Sequence, residues 1–125
     1  MRMPSTHKPP RVDCPIHLVL SYIGSKWAIL ILKELFHGNR RTNEFLSALP
    51  GISTKTLTAR LRELERNGLI KRTVFPEVPP RVEYSLTQKG KEVQPIMSAL
   101  HEVGEQWLSH YGEEASMPAY QRRDA

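Results

Sequence analysis

The chain has one cysteine, Cys14, and five histidines, His7, His17, His37, His101 and His110. A single thiol cannot close a disulfide within the chain or complete a cysteine-based zinc site. Cys14 and His17 stand close on a candidate helix, but two ligands are too few to hold a metal. The histidines are scattered along the sequence. There is no glycine-rich phosphate loop, no paired-carboxylate arrangement on an expected cleft and no nucleophile–base signature. These residues point away from an enzyme, a metal site and a bound cofactor. What Cys14 could do by itself is thiolate chemistry. Pro15 suits the first position of a helix, and a helix N-terminus stabilises a thiolate. His17 lies one turn along, and Lys8 and Arg11 are near in sequence.

A second constellation spans residues 53–66 and is built for polyanions. On a helical wheel at about 100° per residue, Leu57, Leu61 and Leu64 fall together on one side. Lys55, Ala59, Arg62 and Arg66 fall opposite, flanked by Thr56 and Thr58. With Ser53 as cap, the exposed first turns read Thr54, Lys55, Thr56, Thr58, Ala59 and Arg62. Threonine hydroxyls can bond phosphates or base edges, alanine can meet a thymine methyl, and arginine can bond two acceptors of guanine. Glu63 and Glu65 come late, away from the docking end. Arg40, Arg41 and Thr42 precede a further short helix, whose N-terminal N–H groups favour a phosphate. Arg81 follows Pro79-Pro80, where a stiff tip could carry it into a minor groove or onto a phosphate. Lys71 and Arg72 could grip the backbone as well.

The elements that must position these residues follow from periodicity and punctuation. Residues 1–13 are polar, basic and proline-rich, which predicts a mobile arm. Pro15 to Ile23 reads as a short apolar helix stopped by Gly24. Ser25 caps a second helix, Lys26 to Phe36, apolar on nearly every side and so expected at the centre of a bundle. Thr42 is expected to cap a third helix through Leu49, ended by Pro50-Gly51. Thr54 to about Asn67 forms the fourth, closed by Gly68. The period then changes. Leu69–Phe75 and Val82–Leu86 read as two strands, with three prolines between them that exclude a central strand. Thr87 is expected to start one long last helix, kinked at Pro95. From residue 112 onward the chain is polar, which predicts a flexible tail.

One domain over 14–111 follows, mainly α with a small β-hairpin. A short helix, a tight turn, a second helix and a hairpin make a winged helix-turn-helix, whose fourth helix is the recognition element. Such a protein usually acts as a symmetric dimer. The apolar stripe of the last helix, Val93, Ile96, Met97, Leu100, Val103 and Trp107, is the expected seam, joined by Leu18 of the first helix. The net charge of +5 and a sequence pI of about 9.6 favour nucleic acid or an anionic surface. No apolar stretch reaches the roughly 18 to 20 residues a membrane span needs. The start has no apolar core of a secretory signal, so a cytoplasmic protein with no membrane partner is expected.

The sequence resembles the HxlR-type regulators, a branch close to the MarR winged-helix repressors. The resemblance runs from Cys14 to about Glu105. It rests on Cys14-Pro15, Ile23-Gly24-Ser25-Lys26-Trp27, Leu49-Pro50-Gly51-Ile52-Ser53, Leu57-Thr58, Leu61-Arg62-Glu63-Leu64-Glu65 and Gly68-Leu69-Ile70. Pro76 through Thr87, with its proline-rich tip before Tyr84, and Gly90 complete it. Ser25 stands where glycine is frequent, and Val103 where an aromatic is frequent. The resemblance implies a homodimer on an inverted-repeat operator in double-stranded DNA, repressing or activating. In redox-sensing relatives the cysteine at the position of Cys14 is the sensor, and with one cysteine the products would be an intersubunit disulfide or a mixed disulfide. No residue pattern identifies a small-molecule effector. Two other functions fit the residues: a non-specific architectural nucleic-acid binder and a winged-helix protein-interaction module.

Overall fold

The computed structural model describes residues 14–112. The expected arm at 1–13 and all of the expected tail except Gly112 lie outside the described residues. The elements are α1 (Pro15–Ile23), α2 (Lys26–Phe36), α3 (Thr42–Ala48), α4 (Thr54–Arg66), β1 (Ile70–Phe75), β2 (Arg81–Leu86), α5 (Gln88–Lys91) and α6 (Gln94–Tyr111).

Helix α2 occupies the centre, as its all-round apolarity requires. Ile31 and Leu32 are fully buried, and the helix packs on α3, α4 and β2. Ser25 starts it by accepting the Ala28 N–H at 3.1 Å. Phe45 of α3 and Leu57, Leu61 and Leu64 of α4 close the core from the other side. Tyr84 of β2 meets the Phe45 ring edge-to-face, with centroids 6.2 Å apart, a favoured aromatic arrangement.

Strands β1 and β2 pair antiparallel, from Ile70 opposite Leu86 to Phe75 opposite Arg81. A third edge exists that periodicity did not show. Arg40 bridges Tyr84, its N–H donating to the Tyr84 carbonyl at 3.1 Å and its own carbonyl accepting the Tyr84 N–H at 2.8 Å. One paired residue carries no alternation, so it left no sequence signal.

Two expected helix starts are corrected. Arg41, and not Thr42, caps α3, because the Glu44 carboxylate reaches back to accept the Arg41 N–H at 2.8 Å. Thr42 is the first helical residue instead. The long last helix is two helices. After α5 the chain turns at Glu92 and Val93, and α6 begins with Pro95 in its first turn. Proline inside a continuous helix would lose a hydrogen bond and press on the carbonyl four residues back. At a helix start its missing N–H is no loss, so the chain restarts where a kink was expected.

Thr87 and Lys89 fasten the joint between the wing and the last helices. The Thr87 N–H donates to the Leu69 carbonyl at 3.1 Å, the Thr87 hydroxyl donates to the Gly68 carbonyl, and the Lys89 ammonium donates to the Asn67 carbonyl at 3.1 Å. Three consecutive carbonyls of the α4–β1 connection are thereby satisfied by one turn. Gly90, buried against Leu69, allows that approach.

Candidate nucleic-acid interface

Helix α4 presents the two faces its wheel predicted. Leu57, Leu61 and Leu64 are buried, whereas Thr54, Lys55, Ala59, Arg62 and Arg66 are exposed and Thr56 and Thr58 half-exposed. The Ser53 hydroxyl accepts the Thr56 N–H at 3.0 Å and donates to the Thr56 hydroxyl at 3.0 Å. That cap fixes the first turn, which carries the small polar side chains. Among the described residues no carboxylate pairs with Lys55 or Arg62. Arg60, by contrast, is paired with Glu63 one turn on. The exposed cations of the face are available for phosphates or base edges, and small Ala59 leaves room for close approach.

The three arginines outside α4 differ from one another. Arg41 is exposed at the start of α3 and lines a cleft of about 500 Å³ between α3 and the wing, together with Thr42, Asn43 and the loop 77–82. Arg40 is held in the sheet edge, and its guanidinium lies 3.6 Å from the Glu34 carboxylate. Arg81 opens β2 and is occupied from three sides. Its Nη2 and Nε donate to one oxygen of Glu77 at 2.8 and 3.1 Å. Its Nη1 donates to Glu83. The Phe75 ring lies under the guanidinium, 3.9 Å from ring centroid to Cζ. The hydrogen bonds from Arg81 hold the Glu77 carboxyl below its ordinary range, helped by the charge of nearby Arg41. The same bonds to Glu77 and Glu83 raise the Arg81 guanidinium. The sequence placed Arg81 beside two acids without showing that both would turn toward it.

Away from α4, apolar surface is concentrated on α1 and α6. Ile16, Leu18, Val19 and Leu20 are exposed on α1, and Leu100, Val103, Trp107, Leu108 and Tyr111 on α6, which buries none of its residues. Between α1, α2 and α6 runs an apolar groove of about 770 Å³, lined by Ile16, Val19, Leu20, Ile29, Ile96 and Leu100 among others. Of the expected seam residues, Leu18, Leu100, Val103 and Trp107 lie on this free surface. Ile96 and Met97 are half-buried against the core. Val93 is corrected: it is 7% exposed and belongs to the hydrophobic core of the chain itself, because the turn before α6 directs it inward. Cys14 is exposed at the N-cap of α1, and Pro15 after it borders the groove.

Helices α1–α4, a two-stranded wing and a basic, small-residue outer face on α4 define a winged helix-turn-helix transcriptional regulator. The chain belongs to the HxlR-like helix-turn-helix family, whose model matches residues 22–112. It is 56% identical over 104 residues to the HTH-type transcriptional regulator sll1512 of Synechocystis, covering 83% of this chain and 77% of that one. It is 44% identical over 94 residues to the HTH-type regulator YdeP of Bacillus subtilis, 75% and 73% of the two chains. Among solved structures it is similar to the redox regulator HypR in its oxidized form, with a TM-score of 0.72 and 42% identity over 74% of this chain and 96% of that one. It is also similar to the reduced form of the transcriptional regulator YodB of B. subtilis, with a TM-score of 0.65 and 35% identity over 82% and 98%.

Proposed function

We propose that this chain is a cytoplasmic, homodimeric regulator that binds an inverted-repeat operator in double-stranded DNA, with α4 in the major groove. The observation that carries the reading is the outer face of α4. Thr54, Lys55, Thr56, Thr58, Ala59 and Arg62 stand on a helix whose other face is locked into the core, and Lys55 and Arg62 have no carboxylate partner among the described residues. Arg41 and Thr42 add contacts to the DNA backbone at the start of α3. Its action is binding, with no catalytic step.

Dimerisation is supported by the apolar faces of α1 and α6. A helix of 18 residues with none buried leaves Leu100, Val103 and Trp107 in water, and burying a large side chain of this kind contributes about 1.5–3 kcal/mol. The two-fold axis of such a dimer would present two α4 helices to successive major grooves.

Cys14 is the proposed redox element. It is exposed at the N-cap of α1, and two structurally similar proteins have redox-state structures: the redox regulator HypR in its oxidized form, and YodB both reduced and after diamide treatment. An oxidant such as diamide would take two electrons and two protons from two thiols. The product is Cys14 joined either to Cys14 of a second copy or to a small thiol.

The experiment is selection of bound sequences from a random duplex pool at near-physiological salt, with and without diamide. Enrichment of an inverted repeat is the expected result. A folded protein that enriches no sequence refutes the operator reading and leaves architectural binding. An oxidant effect that persists in Cys14→Ser refutes the redox assignment.

A further inference from the structure

The wing of a DNA-binding winged helix is usually pictured as holding out a cation, and Arg81 is the obvious choice by position. Its surroundings argue otherwise. Three of its five N–H donors are directed at the carboxylates of Glu77 and Glu83, and one face of the guanidinium is covered by Phe75. One arginine with two carboxylates carries a net charge of −1. A phosphate reaching for Arg81 would meet two acids and would have to displace them from three charge-assisted hydrogen bonds. The loop beyond is of a different character. Glu77 is its last charged residue, and Val78, Pro79 and Pro80 follow, with Val78 fully exposed. Pro79 and Pro80 have no N–H to offer a phosphate. The tip is therefore apolar and lacks cations, while its base is cross-strapped: Glu77 leaves β1, Glu83 lies in β2, and Arg81 holds both.

We infer that Arg81 is a positioning residue: its clasp with Glu77 and Glu83 stiffens the wing, and the DNA contact is made by the apolar tip Val78-Pro79-Pro80 against the sugar walls of a groove. This inference rests on the wing reaching DNA, as the proposed function requires. Minor-groove proteins present apolar side chains, proline among them, to the duplex as wedges. Such a contact is independent of charge, so it depends on the tip being held in place. Without the clasp, the loop must be ordered at the moment of binding, which costs free energy.

The test separates a strap from a phosphate contact. Affinity for duplex DNA is measured over a range of salt for the full chain and for Arg81→Met, Arg81→Lys and the double variant Glu77→Gln/Glu83→Gln. A phosphate contact contributes roughly 0.9 to the slope of log affinity against log salt. The clasp predicts that all three bind about tenfold more weakly, the effect of an ordering cost near 1.4 kcal/mol, with the slope unchanged. Lysine cannot span two carboxylates, so Arg81→Lys should be no better than Arg81→Met. Three results would overturn the inference: a slope reduced by about one in Arg81→Met, full affinity in Arg81→Lys, or tighter binding once the two acids are neutralised. A DNA-free measurement stands beside these. In Arg81→Met the amides of residues 76–80 should show lower NMR order parameters than in the parent chain. A wing equally ordered without the arginine refutes the clasp even if no operator is ever found, whereas a protein that selects no DNA refutes the proposed function instead.

Discussion

Replacing Gly90 with alanine should loosen the joint between the winged core and the last two helices. A Cβ at position 90 would lie 2.1 Å from the Leu69 carbonyl oxygen and 3.1 Å from both the Leu69 carbonyl carbon and the Leu86 Cδ2. Non-bonded heavy atoms rest at about 3.5 Å or more, so the backbone must yield by roughly an ångström. It has little freedom to do so. The Leu69 carbonyl is held by the Thr87 N–H at 3.1 Å, and its neighbours at 67 and 68 are held by Lys89 and Thr87. Overpacking costs about 1–3 kcal/mol, and an added broken buried hydrogen bond costs about 1–3. Alanine returns about 1 kcal/mol through its better helix propensity. The net loss should be about 1–5 kcal/mol, which lowers the melting temperature by roughly 4–8 °C per kcal/mol in a domain of this size. Gly104→Ala is the internal control, because nothing lies within 4 Å of a Cβ there and a helix interior prefers alanine. Both variants are compared by thermal denaturation followed by circular dichroism, with oligomeric state fixed by sedimentation. A Gly90→Ala chain melting with the parent would refute the packing argument.

Lys55→Ala and Arg62→Ala should each weaken DNA binding, and where the lost contact is to a phosphate the salt slope should fall by roughly 0.9; competition titrations at several salt concentrations check this. Arg62→Ala should in addition relax sequence preference at one operator position if Arg62 reads a base, with about 1–3 kcal/mol of discrimination lost. Ser53→Ala removes the cap of α4, whose hydroxyl accepts the Thr56 N–H, and should cost about 1 kcal/mol in denaturant titrations. Trp107→Asp, at an exposed apolar site on α6, should produce monomers in sedimentation equilibrium and leave the fold intact. Glu77 should titrate below the ordinary carboxylate range, because Arg81 stabilises its ionised form. A depressed folded-state pKa means that this contribution is present at neutral pH and is lost as the pH falls through the folded value. In Arg81→Met the Glu77 midpoint, followed by carboxyl-carbon NMR, should move back up.

Much of the architecture was legible in the sequence because its signals are local. The all-apolar face count of Lys26–Phe36, the caps Ser25 and Ser53, and the spacing of Leu57, Leu61 and Leu64 each depend on a few neighbouring residues. They determined the winged helix-turn-helix order and which face of α4 turns outward. The resemblance around Pro76–Thr87 added the family. Three features depended on contacts distant in sequence or on competing partners, and only the tertiary structure decided them. Arg40 became a sheet-edge residue through a single bridge to Tyr84, forty-odd residues away, which no periodic pattern can announce. Val93 left the α6 stripe for the core because the chain restarted its helix at Pro95. Arg81, a candidate DNA cation by composition and position, found Glu77, Glu83 and Phe75 around it. Residue type decides what an arginine can bind, but only the packed chain decides which partner is already there.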